Sequence, residues 1–389
     1  MLKCASAYTV EVDDPEIALS EIKGQLDKKI TLLEHSVGII MCHPEFVVSG
    51  VLEYICENLP FDLAGITTSS QAVNDEAGEL ILTIFLMTSD DVRFKTGVTE
   101  SGSEDADEAV KNAYARVAAG MSETPKLALI FPPFPMYGHH SGDAYVRAWE
   151  KSIPDTPFFG TCAIDDTTSF EECETIYNGI SYRDAMPFVL CYGNINPRFM
   201  VATFSQRSAI ISKAEITKAA GNVVYEINHM NARQYFKDLE LIESVNFFTP
   251  FMIDLLKRED YDGVSVIRGY ISFTEDGAVV FSGDVDEGST FAMLTYDPDD
   301  ILPSTCQKLE EINKLPEVNG ALLFPCIVRR AVLLGSGKPL SELQNARGTI
   351  NPYIPFMMGY AGGEICPTSV KDGVPTNRFH NYSLVVLVV

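Results

Sequence analysis

Three short apolar runs that each close on a proline constrain this chain more than any other feature: Gly38-Ile39-Ile40-Met41-Cys42-His43-Pro44, Leu127-Ala128-Leu129-Ile130-Phe131-Pro132 and Ala321-Leu322-Leu323-Phe324-Pro325. Each reads as a buried strand, being short, continuous and apolar. Each run leads into a segment of helical or mixed character and then a Pro-Phe pair ahead of a small residue: Pro60-Phe61 with Gly65, Pro157-Phe158 with Gly160, and Pro355-Phe356 with Gly359. A polar loop then leads to a further apolar run, at Leu80–Met87, Met186–Tyr192 and Ser383–Val389. The recurring order is strand, crossover, strand, strand, and a repeated unit of this kind governs the whole fold.

Helix signals fall between the strands. Asp14 is a capping residue followed by Pro15, ahead of Ala18, Ile22 and Leu26 at steps of four. Val110, Tyr114, Val117 and Met121 form a stripe after the polar turn at 101–103, and Ser141 can cap a segment whose Val146, Trp149 and Ile153 share one face. Between about 195 and 300 the texture becomes β-rich: Val264–Phe273, Ala278–Ser282 and Thr290–Leu294 alternate with the turns Glu275-Asp276-Gly277 and Asp286-Glu287-Gly288, which predicts a meander. A chain of 389 residues exceeds what one core fills, so two domains are expected. The expected fold is mixed α/β, two related halves of mixed sheets flanked by helices, divided as residues 1–207 and 208–389.

Charge narrows the function. Asp and Glu number 54 against 29 Lys and Arg, a formal charge of -25 that repels nucleic-acid phosphate and anionic headgroups. The start carries no signal-peptide core and the longest aliphatic run, Leu384–Val389, is too short for a span, so a cytoplasmic protein without membrane insertion is expected. Nine irregularly spaced cysteines, with Cys42, Cys191 and Cys326 inside apolar runs, argue against a disulfide framework. The spacings for structural zinc, covalent haem, zinc proteolysis and P-loop chemistry are missing, and the acidic pairs lack an EF-hand pattern, so no metal site is expected.

The C-terminal part closely resembles the FIST family through Ala321–Arg330, Pro355–Ile365 and Phe379-His380-Asn381-Tyr382-Ser383. Val266-Ile267-Arg268 followed by Asp276–Gly288 is similar to a strand-Arg and Gly-rich stretch of that family, and Pro157–Ala163 with Gly221–Ile227 looks like its N-terminal partner domain. One loop departs, keeping a single aromatic, Tyr360, where the family has a pair. The resemblance implies a sensory module rather than an enzyme, binding a small ligand such as an amino acid and signalling to a partner such as a histidine kinase or cyclase. Some relatives are described as haem-binding nitric oxide sensors, which keeps haem open as a cofactor.

Ligands of α/β sheets bind where strands end and helices begin. That draws attention to His43-Pro44, the loop Met136–Gly142 with His139 and His140, the loop Thr161–Asp166 with Thr161, Cys162 and Asp165, and Gly359–Glu364 with Tyr360 and Gly363. Arg329 and Glu364 would suit the two ends of an amino acid, or close the loop as a structural salt bridge. Adjacent His139 and His140 offer one axial ligand or a polar turn, and His380 an iron ligand or a satisfied core imidazole. Cys326 and Cys162 are either inert buried thiols or the nucleophile of a thiol-dependent enzyme, the competing reading.

Overall fold

The fold is that of a computed structural model, which describes every residue except 136–139, 168, 204–209, 242–251, 258–263 and 295–297. One unit occurs three times. In the first copy β1 (Lys3–Thr9), α1 (Pro15–Lys29), β2 (His35–Cys42), α2 (Glu45–Val48), α3 (Val51–Asn58), β3 (Asp62–Thr67), the hairpin β4 (Gln71–Val73) and β5 (Ala77–Gly78), and β6 (Leu82–Ser89) follow in order. The second runs β7 (Val92–Val98), α4 (Ala106–Val117), β8 (Leu127–Ile130), α5 (Gly142–Ser152), β9 (Phe158–Thr161), the hairpin β10 (Thr175–Tyr177) and β11 (Ile180–Tyr182), and β12 (Pro187–Gly193).

The third begins with β13 (Arg198–Ala202) and is interrupted by β14 (Ile210–Ala220), β15 (Val223–Ile227), β16 (Met230–Asn231), α6 (Ala232–Asp238), β17 (Met252–Lys257), β18 (Ile267–Phe273), β19 (Val279–Phe281) and β20 (Thr290–Leu294). It resumes with α7 (Ile301–Lys314), β21 (Ala321–Pro325), α8 (Ile327–Gly335), α9 (Ser341–Thr349), β22 (Phe356–Gly359), the hairpin β23 (Glu364–Lys371) and β24 (Val374–His380), and β25 (Leu384–Val388). The mixed α/β character and the repeated strand–helix–strand unit are those read from the three proline-closed runs. The boundary expected near residue 208 lies outside the described residues.

In every copy the proline-closed strand pairs in parallel with the Pro-Phe strand and antiparallel with the last strand. The hairpins are exchanged in a cycle. That of the first copy extends the third sheet, with Met357 opposite Val73; that of the second extends the first, with Thr175 opposite Ile66; that of the third extends the second, with Glu364 opposite Thr161. Each of these three sheets therefore contains strands from two copies, and no copy completes its sheet alone.

Alternation along the strands explains the layering. Val37, Ile39 and Met41 of β2, Leu127 and Leu129 of β8, and Val189 and Cys191 of β12 enter one central cluster together with Leu322, Phe324 and Val385. Their neighbours Ile40 and Cys42 face α1 and α3, while Ala128, Ile130, Phe188 and Leu190 face α4 and α5. The three sheets thus turn their inner faces to one another, with helices outside. Caps set the helices as expected: Asp14 accepts from the N–H of Glu16 and Ile17, and Ser141 from Ala144. The stripe helix α4 is capped by Asp105, a little beyond the turn at 101–103. Gly65 and Gly160 sit where a Cβ would fall 1.7 Å from the carbonyl oxygen of Ile40 and Ile130, respectively. Only glycine lets the two parallel strands approach there.

The interruption in the third copy is the expected β-rich stretch. Its sheet runs β14-β20-β17-β18-β19-β15-β16, and an added β14–β15 pairing closes it on itself, leaving little open edge. It carries its own core of Ile216, Val224, Phe236, Ile253, Phe281 and Phe291. Met252 and Ile267 tie it to the scaffold by packing with Ile301, Val332, Leu333 and Tyr382.

Candidate functional site

The segments following β3, β9 and β22 converge. Ile164 N–H donates to Thr67 O (3.1 Å), Tyr360 N–H to Ser70 O (3.2 Å), and Gly362 N–H to Cys162 O (3.1 Å), while the Thr68 hydroxyl donates to Tyr360 O (2.7 Å). Two of the four turns singled out in sequence, Thr161–Asp166 and Gly359–Glu364, therefore meet, together with Thr67 to Ser70, but at a filled junction: Thr67 to Ser70, Cys162 to Ile164, and Tyr360 with Ala361 are all buried.

Around this junction the expected site residues separate into distinct settings. Thr161 is buried and donates to Gly363 O (3.1 Å), with Gly363 at φ +142° against the rings and amide of Phe379 and Asn381. Asp165 closes its own loop, accepting from Thr167 N–H (2.8 Å) and Glu172 N–H (2.7 Å). Glu364 is buried beside Cys326; its Oε2 accepts from Ser383 N–H (3.3 Å), and its Oε1 has no N–H or O–H donor among the described residues. Burial holds its carboxyl well above the usual carboxylate range, the Cys326 thiol and the Ser383 N–H opposing more weakly.

Arg329 does not pair with Glu364. Its guanidinium is fully buried and grips Glu342 of α9 through Nε (2.9 Å) and Nη2 (2.7 Å), with Nη2 also donating to Thr305 (2.8 Å). Tyr360 completes this cluster by donating to Glu342 Oε2 (3.1 Å). A ligand carboxylate has no route to that fork. The Arg329–Glu364 salt bridge considered from sequence is not formed, because Glu342 on α9 occupies the guanidinium instead.

An open polar cleft lies elsewhere, between the inserted sheet, the start of α5 and β24. It encloses about 240 Å³ and is lined by Asp143, Arg147, Glu150, Arg268, Asp284, Asp286 and Arg378, among others. Arg268, on β18, is its hub, with a side chain only 4% exposed. Nη2 donates to Asp143 Oδ1 (2.9 Å), Nε to Asp284 O (3.0 Å), and Nη1 to Phe379 O (3.2 Å) and Asn381 Oδ1 (3.3 Å). Asp143 accepts from Asp284 N–H (2.8 Å), and Arg147 reaches Asp284 Oδ2 (2.6 Å). Burial raises the Asp143 carboxyl from its ordinary value while Arg268 opposes. Gly283 lets these groups close up, since a Cβ there would lie 2.7 Å from Arg268 Nε.

Apart from Arg268 within the resemblance, sequence reading passed over this set. A usable signal was an arginine inside the apolar strand Val266–Phe273, because arginine is almost never buried unless paired. The partners Asp143 and Asp284 are 125 and 16 residues away and carry no local mark.

His43, His140 and His380, the described histidines singled out in sequence, do not fit a haem, each being turned to a protein group. His43 accepts from Glu45 N–H at Nδ1 and faces Asp166 with Nε2, His140 Nε2 lies 3.0 Å from Ser103 O, and His380 Nε2 lies 3.0 Å from Cys366 O. None of the three lines the cleft, and His139 lies outside the described residues. The thiols of Cys326 and Cys162 are fully buried and burial pushes both well above the ordinary thiol value, the reverse of what a nucleophilic thiolate requires. Among the described residues no three His, Cys, Asp or Glu side chains group to hold a metal ion, and no helix is long and apolar enough to cross a membrane.

A threefold α/β scaffold thus carries one inserted sheet, with a mixed-charge cleft beside it. Two family profiles match, the FIST N domain over residues 36–230 and the FIST C domain over residues 232–367, and the chain belongs to the FIST family, whose domains are associated with signal transduction and small-ligand sensing. It is also similar to the uncharacterized protein MJ1623 of Methanocaldococcus jannaschii, with 24% identity over 186 residues, 43% of this chain and 34% of that protein. The chain thus matches about a third of the length of that relative.

Proposed function

We propose that this chain is a non-enzymatic cytoplasmic sensor that binds a small zwitterionic metabolite, an amino acid or a close analogue, in the Arg268 cleft and signals to a separately encoded kinase or cyclase. The observation carrying this reading is the juxtaposition of guanidinium and carboxylate groups around one small space. Arg147, Arg268 and Arg378 offer planar donors to a carboxylate, and Asp143, Glu150, Asp284 and Asp286 offer acceptors to an ammonium. The volume, about 240 Å³, equals roughly eight waters and suits a metabolite of amino-acid size. The seam between an inserted sheet and its scaffold is where such sites preferentially form.

Calorimetric titration of the full chain against the common amino acids tests it. One or more should bind, and Arg268→Met should weaken that binding at least tenfold, about 1.4 kcal/mol, by removing a charge-assisted contact. A folded Arg268→Met protein that binds as the parent does, or no binding across the panel, would overturn the assignment.

A further inference from the structure

The β24–β25 corner, Asn381-Tyr382-Ser383, touches both the cleft and helix α8. Tyr382 is buried at φ +64°, in the left-handed region that a bulky side chain rarely occupies without compensation. Its ring packs with Met252 and Ile267 of the inserted sheet and with Val332 and Leu333 of α8. Gly269 makes room for it, since a Cβ there would lie 2.3 Å from the Tyr382 hydroxyl. On the cleft side, Arg268 Nη1 and the Ser282 hydroxyl (3.0 Å) both donate to Asn381 Oδ1. On the other side, Ser383 O accepts from the N–H of Cys326 (2.8 Å), the capping residue of α8, and Ser383 N–H donates to the buried Glu364.

We propose that this corner is the element that couples the cleft to α8. The inference rests on the cleft being the ligand site. Arg268 holds Asn381 and so keeps Tyr382 left-handed. The two Nη1 bonds, at 3.2 and 3.3 Å, are the longest that Arg268 makes between elements, and a ligand carboxylate drawing the guanidinium outward breaks them first. Tyr382 then relaxes toward extended backbone, Ser383 shifts, and the N-terminus of α8 loses its fixed partner. Arg330 on the same helix is ion-paired with Glu79 of the first copy (2.7 Å), so a shift of α8 changes a surface contact between copies. The strained residue is the bistable part that such coupling requires.

Hydrogen exchange read by mass spectrometry on the full chain tests the coupling without any ligand. Arg268→Lys, which keeps the charge but not the fork, should speed exchange of the α8 amides by at least about fivefold, within the span of local opening. In a Tyr382→Asn background, where the backbone tolerates φ > 0 but the ring is gone, Arg268→Lys should leave α8 unchanged. Ser282→Ala provides the same cleft-side perturbation should Arg268→Lys fail to fold. Ile253→Val loosens the inserted core without touching the corner and should leave α8 as it is.

Unchanged α8 exchange in Arg268→Lys, an equal effect in both backgrounds, or the same effect from Ile253→Val would each overturn the proposal. A failed amino-acid titration would instead strike the ligand assignment and leave the exchange result standing.

Discussion

Replacing Arg329 with methionine isolates what the most deeply buried ion pair among the described residues contributes. Arg329 and Glu342 are both fully buried, so neither charge is relieved by water once its partner is removed. Among the described residues, Arg329→Met leaves the Glu342 carboxylate with the hydroxyls of Thr305 and Tyr360 as donors. Breaking such a pair from one side costs about 3–5 kcal/mol, whereas replacing both members with apolar groups of similar volume is often neutral or stabilising. Arg329→Met should therefore lose about 3–5 kcal/mol and Arg329→Met/Glu342→Leu should recover most of it. Urea titration measures this with two probes, far-ultraviolet circular dichroism and the fluorescence of Trp149, the one tryptophan in the chain. Trp149 is buried in the second copy against Phe188, remote in sequence from the substituted third copy. Because β23–β24 of the third copy completes the sheet of the second, unfolding of one exposes the other, and both probes should shift together. A loss below about 1 kcal/mol would refute the buried-pair account. A shift in circular dichroism alone would refute the interlocking of the copies.

Two further outcomes follow from single positions. Glu364 has its carboxyl raised from the ordinary 4.5 chiefly by burial, so the folded state favours the proton. Its stabilising contribution is complete in acid and falls as pH climbs from the ordinary value toward the raised one, by up to about 1.4 kcal/mol per unit. Glu364→Gln lacks this loss, so its stability relative to the parent should grow as pH rises in that window; parallel stability–pH curves from urea titration would contradict the neutral carboxyl. Gly160→Ala places a Cβ 1.7 Å from Ile130 O between paired parallel strands. Folded yield should collapse, and an alanine variant with near-parental stability would show that the two strands do not approach as described.

How much of this was legible in the sequence depended on how local each signal was. The proline-closed runs, the Asp14-Pro15 and Ser141 caps and the meander turns are written within a few residues, and the elements formed where those signals stood. Hairpin exchange left no such mark, because β4, β10 and β23 read the same whichever sheet they join. The loops of Thr161–Asp166 and Gly359–Glu364, both singled out as ligand loops, come together in packing instead of around a cavity. Arg329 drew attention as an arginine near a Gly-Glu loop, but its partner, Glu342, lies on the helix between. Arg268 was visible as a charge inside an apolar strand, while its ring of partners existed only after folding.

The interruption of the third copy explains why the Arg268 cleft forms at one of three equivalent places that a repeated scaffold offers. The link from the first strand to the first helix is short in the first two copies, Val10 to Asp14 and Thr99 to Asp105, and holds the whole closed sheet in the third. The scaffold likewise presents three corners between an exchanged hairpin and the last strand: residues 79–81, 183–186 and 381–383. Only the last carries a left-handed nonglycine residue among these three, and only there does Arg268 from the inserted sheet reach a corner amide. Copies that are equal in packing cannot by themselves single out one site. The inserted sheet breaks that equality by bringing an arginine to a corner whose other side holds α8, so the feature that spoils the repeat is the one that builds the cleft and ties it to the scaffold.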